Sequence, residues 1–351
     1  MQAALRPMNL GEILDRTFAI YRKKFLLFVG IAALPATVML AIHIVDIGWV
    51  HTDRLFGVTD ATQGGKIALS WLLAYGYYHI SGFLALLFLP AFVRLASCEV
   101  FGERTTIVAS LRFALARWRR YLWLAFLKWT AVLILPEALA FGVFFGIGTL
   151  EDKLGLLGDS PDAFAIVTLL LPIPAGIILF LWAGACLSLV FPAAALEEIS
   201  AWKSLRRSWK LTKGSRGRIF VAWIMVFACA MVLELLAAFL IWWIATLLYA
   251  GRNYAGFNRQ VYTVVSYFFY AMIAAVVGPL YPIAVTLFYF DQRVRQEGFD
   301  VEMMMEAAGL GTGELGTIRN LRGGGRTESE EAVDPGWSRF VKFIRSQRGF
   351  D

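Results

Sequence analysis

The chain has 351 residues, 59% of them apolar and 17% charged, with a mean hydropathy of +0.64 and a formal net charge of +7. A soluble domain carries about 25% charged residues, so this composition excludes a water-soluble globule and a disordered chain. Three cysteines (Cys98, Cys186 and Cys229) are too few and too scattered for a disulfide framework or a CxxC metal knuckle.

What remains is an all-α, polytopic membrane protein. Crossing a hydrocarbon core of ~30 Å takes about 20 apolar residues. Six stretches are long enough: Phe25–Ile47, Ile67–Phe92, Tyr121–Leu150, Ala163–Ala195, Ile219–Ala250 and Val261–Phe290. Barrel strands of ~10 residues with alternating polarity do not occur in this pattern. The first stretch is too long for a signal-peptide core and lacks a clear A-x-A site after it.

Lys and Arg predict the orientation. Five precede the first span, six lie between spans two and three, and seven lie between spans four and five. The other three connections hold two, one and two. This asymmetry predicts that both termini are cytoplasmic, so the positive charge follows from topology and implies no nucleic-acid partner.

The odd spans begin at Phe25, Leu122 and Ile219, and the even ones at Ile67, Phe164 and Val261, each step being 97 residues. A short amphipathic segment precedes every odd span. Leu10, Ile13, Leu14, Phe18 and Tyr21 share a helical face in the first; Ile107, Val108, Leu111, Leu115 and Trp118 in the second; Ala201, Trp202, Leu205 and Trp209 in the third. Leu14, Leu111 and Leu205 are equivalent, as are Phe18, Leu115 and Trp209, with extra residues around Gly214–Gly217 restoring the register. Start signals are Asn9 with Glu12 as a capping box, Thr106, and Ser200. Basic residues lie opposite these faces, so each segment is expected to rest in the interface of an anionic leaflet. The expected lipid or partner surface comprises Arg112, Arg119, Arg120, Arg206, Arg207, Lys210 and Lys213. The expected unit is one interfacial helix plus a transmembrane hairpin, in three tandem copies; even spacing in any six-span protein is the plainer account.

Three charges fall inside spans: Lys128, Glu137 and Glu234. Each is costly there unless paired or hydrated. Glu137 and Glu234 are 97 residues apart, at equivalent repeat positions where the first copy has Leu40. Both lie about 24 Å beyond the cytoplasmic ends of their spans. Facing each other they would share a proton or bind a cation; otherwise they reach the outer headgroups or hydrogen-bond within the bundle. Lys128 is expected to snorkel to the cytoplasmic interface.

His43 with Asp46, and His51 with Asp53, make an outer metal site imaginable, but mixed spacing argues against it and no metal or cofactor is assigned. His79 is expected to be a hydrogen-bonded bundle residue. Pro35, Pro136, Pro172, Pro174, Pro279 and Pro282 mark kinks. Gly142 and Gly146 form a GxxxG that would permit close helix contact. No Walker sequence, HExxH or nucleophile elbow occurs.

Three blocks carry a family resemblance. The first is Arg6-Pro7-Met8-Asn9-Leu10-Gly11-Glu12-Ile13-Leu14-Asp15-Arg16-Thr17-Phe18. The second runs from Ser204 through Ser208 to Gly214. The third is Tyr289-Phe290-Asp291-Gln292-Arg293-Val294-Arg295-Gln296-Glu297-Gly298-Phe299-Asp300. Together, across residues 1–305, they resemble the bacterial membrane domain named after glycerophosphoryl diester phosphodiesterase. In the family's named enzyme that domain precedes a catalytic barrel. A barrel needs ~250 residues and about 50 follow the last block, so the resemblance implies a free-standing membrane module with no catalytic residue.

The expected organisation is a transmembrane domain over residues 1–305, a Gly- and charge-rich linker over 306–335, and a basic amphipathic helix over 336–351. The expected function is non-enzymatic: a scaffold or regulator of the bacterial plasma membrane, binding anionic phospholipid headgroups and a cytoplasmic or membrane protein partner through interfacial basic helices. The alternatives are a small-solute or ion transporter using Glu137 and Glu234, and a lipid-acting enzyme.

Overall fold

The computed structural model describes residues 6–50, 63–154, 170–197, 199–249 and 259–299. Among these the protein is all-α. The helices are α1 (Leu10–Lys23), α2 (Phe25–Val50), α3 (Gln63–Phe101), α4 (Ile107–Ala116), α5 (Trp118–Trp129), α6 (Leu135–Leu154), α7 (Pro172–Cys186), α8 (Val190–Leu196), α9 (Ala201–Leu211), α10 (Arg216–Tyr249), α11 (Arg259–Val277) and α12 (Leu280–Glu297), with a π-helical turn at Thr130–Ile134. Six spans, each within one helix or a run of adjoining helices, are long and apolar enough to cross a membrane. This is a multi-pass membrane protein. Residues 306–351, and with them the expected linker and C-terminal helix, lie outside the described residues, as do Asp300, His51 and Asp53.

The short helices start where local chemistry places them. The Asn9 side chain accepts from Glu12 N–H at 2.8 Å, and the Asn9 N–H donates to Glu12 Oε2 at 2.9 Å, closing the expected capping box. Thr106 caps α4 by accepting from Ala109 N–H at 3.2 Å. Ser200 departs from expectation: it holds the extended N-cap backbone of α9, yet its side chain makes no cap bond.

Helical faces are also sorted differently from the expected apolar stripes. Ile13, Ser110 and Ser204 are fully buried, whereas Phe18, Leu115 and Trp209 are 51%, 67% and 45% exposed. Leu14, Leu111 and Leu205 lie between, half-buried. Small or slender side chains let these helices approach the bundle closely. The bulky apolar groups stay on the outside of the protein.

Tertiary contacts divide the chain into two units. Of the described residues, one unit comprises 6–13, 122–154, 170–197, 199–220 and 285–299. Here the π-helical turn precedes Pro136, and Leu135 N–H reaches back to Thr130 O. Proline lacks the N–H for a helical bond to Val132, and widening the preceding turn relieves its ring's clash with that carbonyl. α7 packs along α6 and this turn. The close approach is at Gly176, where an added Cβ would lie 3.1 Å from Ala140 Cβ. Gly142 and Gly146 face open space, so among the described residues the GxxxG makes no helix contact. All seven residues of α8 are buried, and α9 packs against it.

Of the described residues, the other unit comprises 14–50, 63–121, 221–249 and 259–284. α11 packs along α2, α2 against α3, and α4 against α3 and α2. At Gly30 an added Cβ would stand 2.6 Å from Ile107 Cδ1, so a side chain there would force the Ile107 side chain on α4 to shift. The Tyr21 hydroxyl donates to the Val276 carbonyl, and burial pushes this phenol up to about 12. Gly102, with φ +73°, supplies the left-handed turn that ends α3.

Candidate functional site

The start of the first sequence block, up to Ile13, and the described parts of the other two blocks lie in the first unit, where the third block bonds to each of the others. Asp291 on α12, its side chain fully buried, accepts from Met8 N–H at 2.7 Å. It also accepts from Arg218 at 3.1 Å and from Arg295 Nε at 3.0 Å. Both guanidinium groups donate as well to the Met8 carbonyl, at 2.7 and 2.6 Å. The backbone of Met8, just before α1, is therefore held at its N–H by a carboxylate and at its carbonyl by two arginines. Arg6 closes the segment by pairing with Glu12 at 2.7 Å.

A second cluster joins blocks two and three. Arg207 on α9 donates to Glu197 at 2.9 Å and pairs with Glu297 at 2.5 Å. Arg293 donates to the same Glu297 at 3.0 Å, and the Tyr289 hydroxyl donates to Glu197 at 2.7 Å. Gln296 adds a bond to the Leu211 carbonyl at 3.0 Å. Burial alone would weaken proton binding by Arg207, but the Glu197 and Glu297 carboxylates reverse this and hold its affinity above the ordinary value. Gly298, at φ +66°, turns the chain so that Phe299 returns to the core, stacked on Phe290 with centroids 6.2 Å apart and 4.6 Å from the Arg293 guanidinium carbon.

α9 is fastened on its small-residue side. The Ser208 hydroxyl donates to the Cys186 carbonyl at 2.8 Å and accepts from Leu189 N–H at 3.2 Å. Its opposite side carries exposed Trp202, Lys203, Arg206, Trp209 and Lys210, followed by exposed Lys213. Trp209 is braced by Trp182, centroid to centroid 5.0 Å, and by the Arg216 guanidinium at 4.9 Å. Thus the basic residues expected to act together divide by environment. Arg206, Lys210 and Lys213 are exposed, while Arg207 is consumed in ion pairs with buried Glu197 and with Glu297. In the sequence around α4, Arg112 and Arg119 are exposed and Arg120 is half-buried. Of the remaining block residues, Asp15 is exposed and Arg16 half-buried.

The three charges within the apolar spans have different surroundings. Lys128 does not snorkel: it is 7% exposed, with its ammonium 5.5 Å from the centroid of Phe191. Buried α8 brings that ring to it. Glu137 lies half-buried on α6, beside buried Pro136. Glu234, in the other unit, lines a cavity of about 410 Å³ together with His43, Tyr77, Ser266, Tyr267 and Tyr270. His43 is buried between the rings of Tyr77 and Tyr267, each centroid 3.6 Å away, and its Nδ1 lies 3.1 Å from the Met39 carbonyl. The side chain of Asp46 lies outside the described residues. His79 is half-buried, its ring 4.3 Å from that of Tyr75.

Residue order alone singles out neither Glu197 nor Arg218, because charges near span ends carry a topology signal whatever they pair with. It also passes over the cavity tyrosines; aromatic residues at span boundaries are the available signal. Compared with family models, curated proteins and solved structures, the chain matches none.

Proposed function

We propose that this protein is a non-enzymatic scaffold or regulator of a bacterial plasma membrane, working from the leaflet on which α1, α4 and α9 rest. On this reading both termini are cytoplasmic, and the three helix-plus-hairpin segments are copies of one unit. The resemblance of the three blocks to the phosphodiesterase-associated membrane domain is consistent with it. α9 carries the proposal: exposed Trp202 and Trp209 stand with exposed Lys203, Arg206 and Lys210, while Ser204 and Ser208 are buried behind them. Tryptophan favours the headgroup layer, and each Lys or Arg near an anionic surface adds about 1 kcal/mol. A rigidly mounted helix of this kind grips anionic headgroups, and presents the same residues to an acidic protein partner.

The test replaces Lys203, Arg206 and Lys210 with Gln and measures the anionic lipid that co-purifies from mixed phosphatidylglycerol–phosphatidylcholine micelles. Retention is expected to fall severalfold while folding is kept. Unchanged retention together with unchanged partner pull-down would refute the reading.

A transporter remains a second reading because Glu234 lines a cavity. Liposomes carrying the protein would then show solute or ion flux that Glu234→Gln abolishes.

A further inference from the structure

The cavity in the second unit has a composition that selects a ligand class. α2 contributes His43, α3 Tyr77, α10 Glu234, and α11 Ser266, Tyr267 and Tyr270. Glu234 supplies a carboxylate, and among the described residues that line the cavity there is no Lys or Arg. A carboxylate within a span is costly unless a cation matches it. Three tyrosines surround the same space, and the negative face of an aromatic ring attracts a cation, most effectively where water is displaced.

A second observation is independent of the carboxylate. The Tyr77 hydroxyl is buried and has no hydrogen-bond partner among the described residues. An unmade bond at a buried polar atom costs about 1–3 kcal/mol, so such an atom beside a cavity marks a place where a ligand completes the bonding. The volume, about 410 Å³, is that of a site for a small organic group. Among the described residues no three His, Cys, Asp or Glu side chains cluster as metal ligands do. Tyrosine rings, one carboxylate and a phenolic oxygen fit an organic ammonium better than a bare metal ion.

Position narrows the source. Along α2, His43 is about 27 Å from Phe25, where the helix leaves α1. The cavity is thus at the membrane boundary remote from α1, where an amine meets it either as a free solute or as the headgroup of a phospholipid. We propose that this cavity binds an organic ammonium group, held against Glu234 and enclosed by Tyr77, Tyr267 and Tyr270. It draws on none of the residues assigned to headgroup binding on α9, and its test reads equilibrium binding and not flux.

The experiment titrates the full-length protein, in an uncharged maltoside, with tetramethylammonium chloride by calorimetry, using tert-butanol as the neutral counterpart of similar size. Saturable binding of the cation without binding of the alcohol is expected. Glu234→Gln should weaken it at least tenfold. Tyr270→Leu should weaken it as well, and Tyr270→Phe, which keeps the ring, should lose much less, a pattern that loss of folding would not produce. In a parallel arm, nanodiscs of phosphatidylethanolamine and phosphatidylglycerol are compared by native mass spectrometry. Glu234-dependent retention of the ethanolamine lipid identifies a headgroup source, and binding of tetramethylammonium alone identifies a solute. If the cation and the alcohol bind equally, or if neither the cation nor the ethanolamine lipid binds in a Glu234-dependent way, the proposal is overturned.

Discussion

Asp291 accepts a hydrogen bond from the backbone N–H of Met8, a residue 283 positions earlier in the chain, at 2.7 Å. Arg218 and Arg295 flank the same carboxylate at 3.1 and 3.0 Å, so one buried group joins the N-terminal segment to α10 and α12. Asp291→Ala is expected to destabilise the protein by about 3–5 kcal/mol, because it strands two arginines and a buried N–H. Thermal unfolding in detergent, followed by fluorescence-detected gel filtration, checks this. Asp291→Asn, which keeps an acceptor for Met8, should lose less.

Arg206 and Arg207 are neighbours with opposite fates. Arg207 links Glu197 and Glu297, whose side chains are 2% and 26% exposed, so Arg207→Gln leaves a buried carboxylate without its cation. A loss of about 3 kcal/mol or more is expected. Arg206 is exposed, and Arg206→Gln should change stability by less than about 0.5 kcal/mol while reducing anionic-lipid retention. Equal stability losses in the two variants would contradict this division.

The capping box gives a pH dependence with a definite sign. The Asn9 N–H and the Arg6 guanidinium hold the Glu12 carboxyl below its ordinary value. A lowered carboxyl contributes stability above the unfolded-state value, about 4.3, and loses it as pH falls through the lower folded value. Wild type and Glu12→Gln should therefore differ in melting temperature at pH 7 and converge toward pH 3. Asn9→Ala, which removes the side-chain cap, should cost about 1 kcal/mol.

Lys128 is a buried cation seated on an aromatic ring. Replacing a buried charge by an apolar side chain of similar volume is often neutral or stabilising. Lys128→Met should leave the melting temperature unchanged or raise it. A fall of many degrees would show that the ammonium is held by more than its contact with Phe191.

Much of the architecture was legible in the residue order, because its causes are local. Apolar length marks six spans whatever they pack against, and Asn9 with Glu12 closes its box across three residues. The candidate sites were less legible. Ser208 reads as a polar residue on a basic helix, yet its hydroxyl bridges Cys186 and Leu189 inside the protein. The amphipathic pattern placed Phe18, Leu115 and Trp209 on one equivalent face, but pattern alone does not say whether an apolar face meets protein or lipid. In a membrane both are apolar, so hydropathy cannot sort them.

The sequence by itself determined the all-α multi-pass class, because backbone groups in a bilayer must be satisfied within a helix once a segment is long and apolar enough. Only the tertiary structure decided that Met8 meets Asp291, that Arg207 is spent in ion pairs while Arg206 is not, that Lys128 lies beneath Phe191, and that Glu234 shares a cavity with three tyrosines. Those outcomes depend on which helix faces come together across many tens of residues. That choice is made by packing of small side chains such as Gly30, Gly176, Ser204 and Ser208, whose size, not polarity, sets how closely the helices approach.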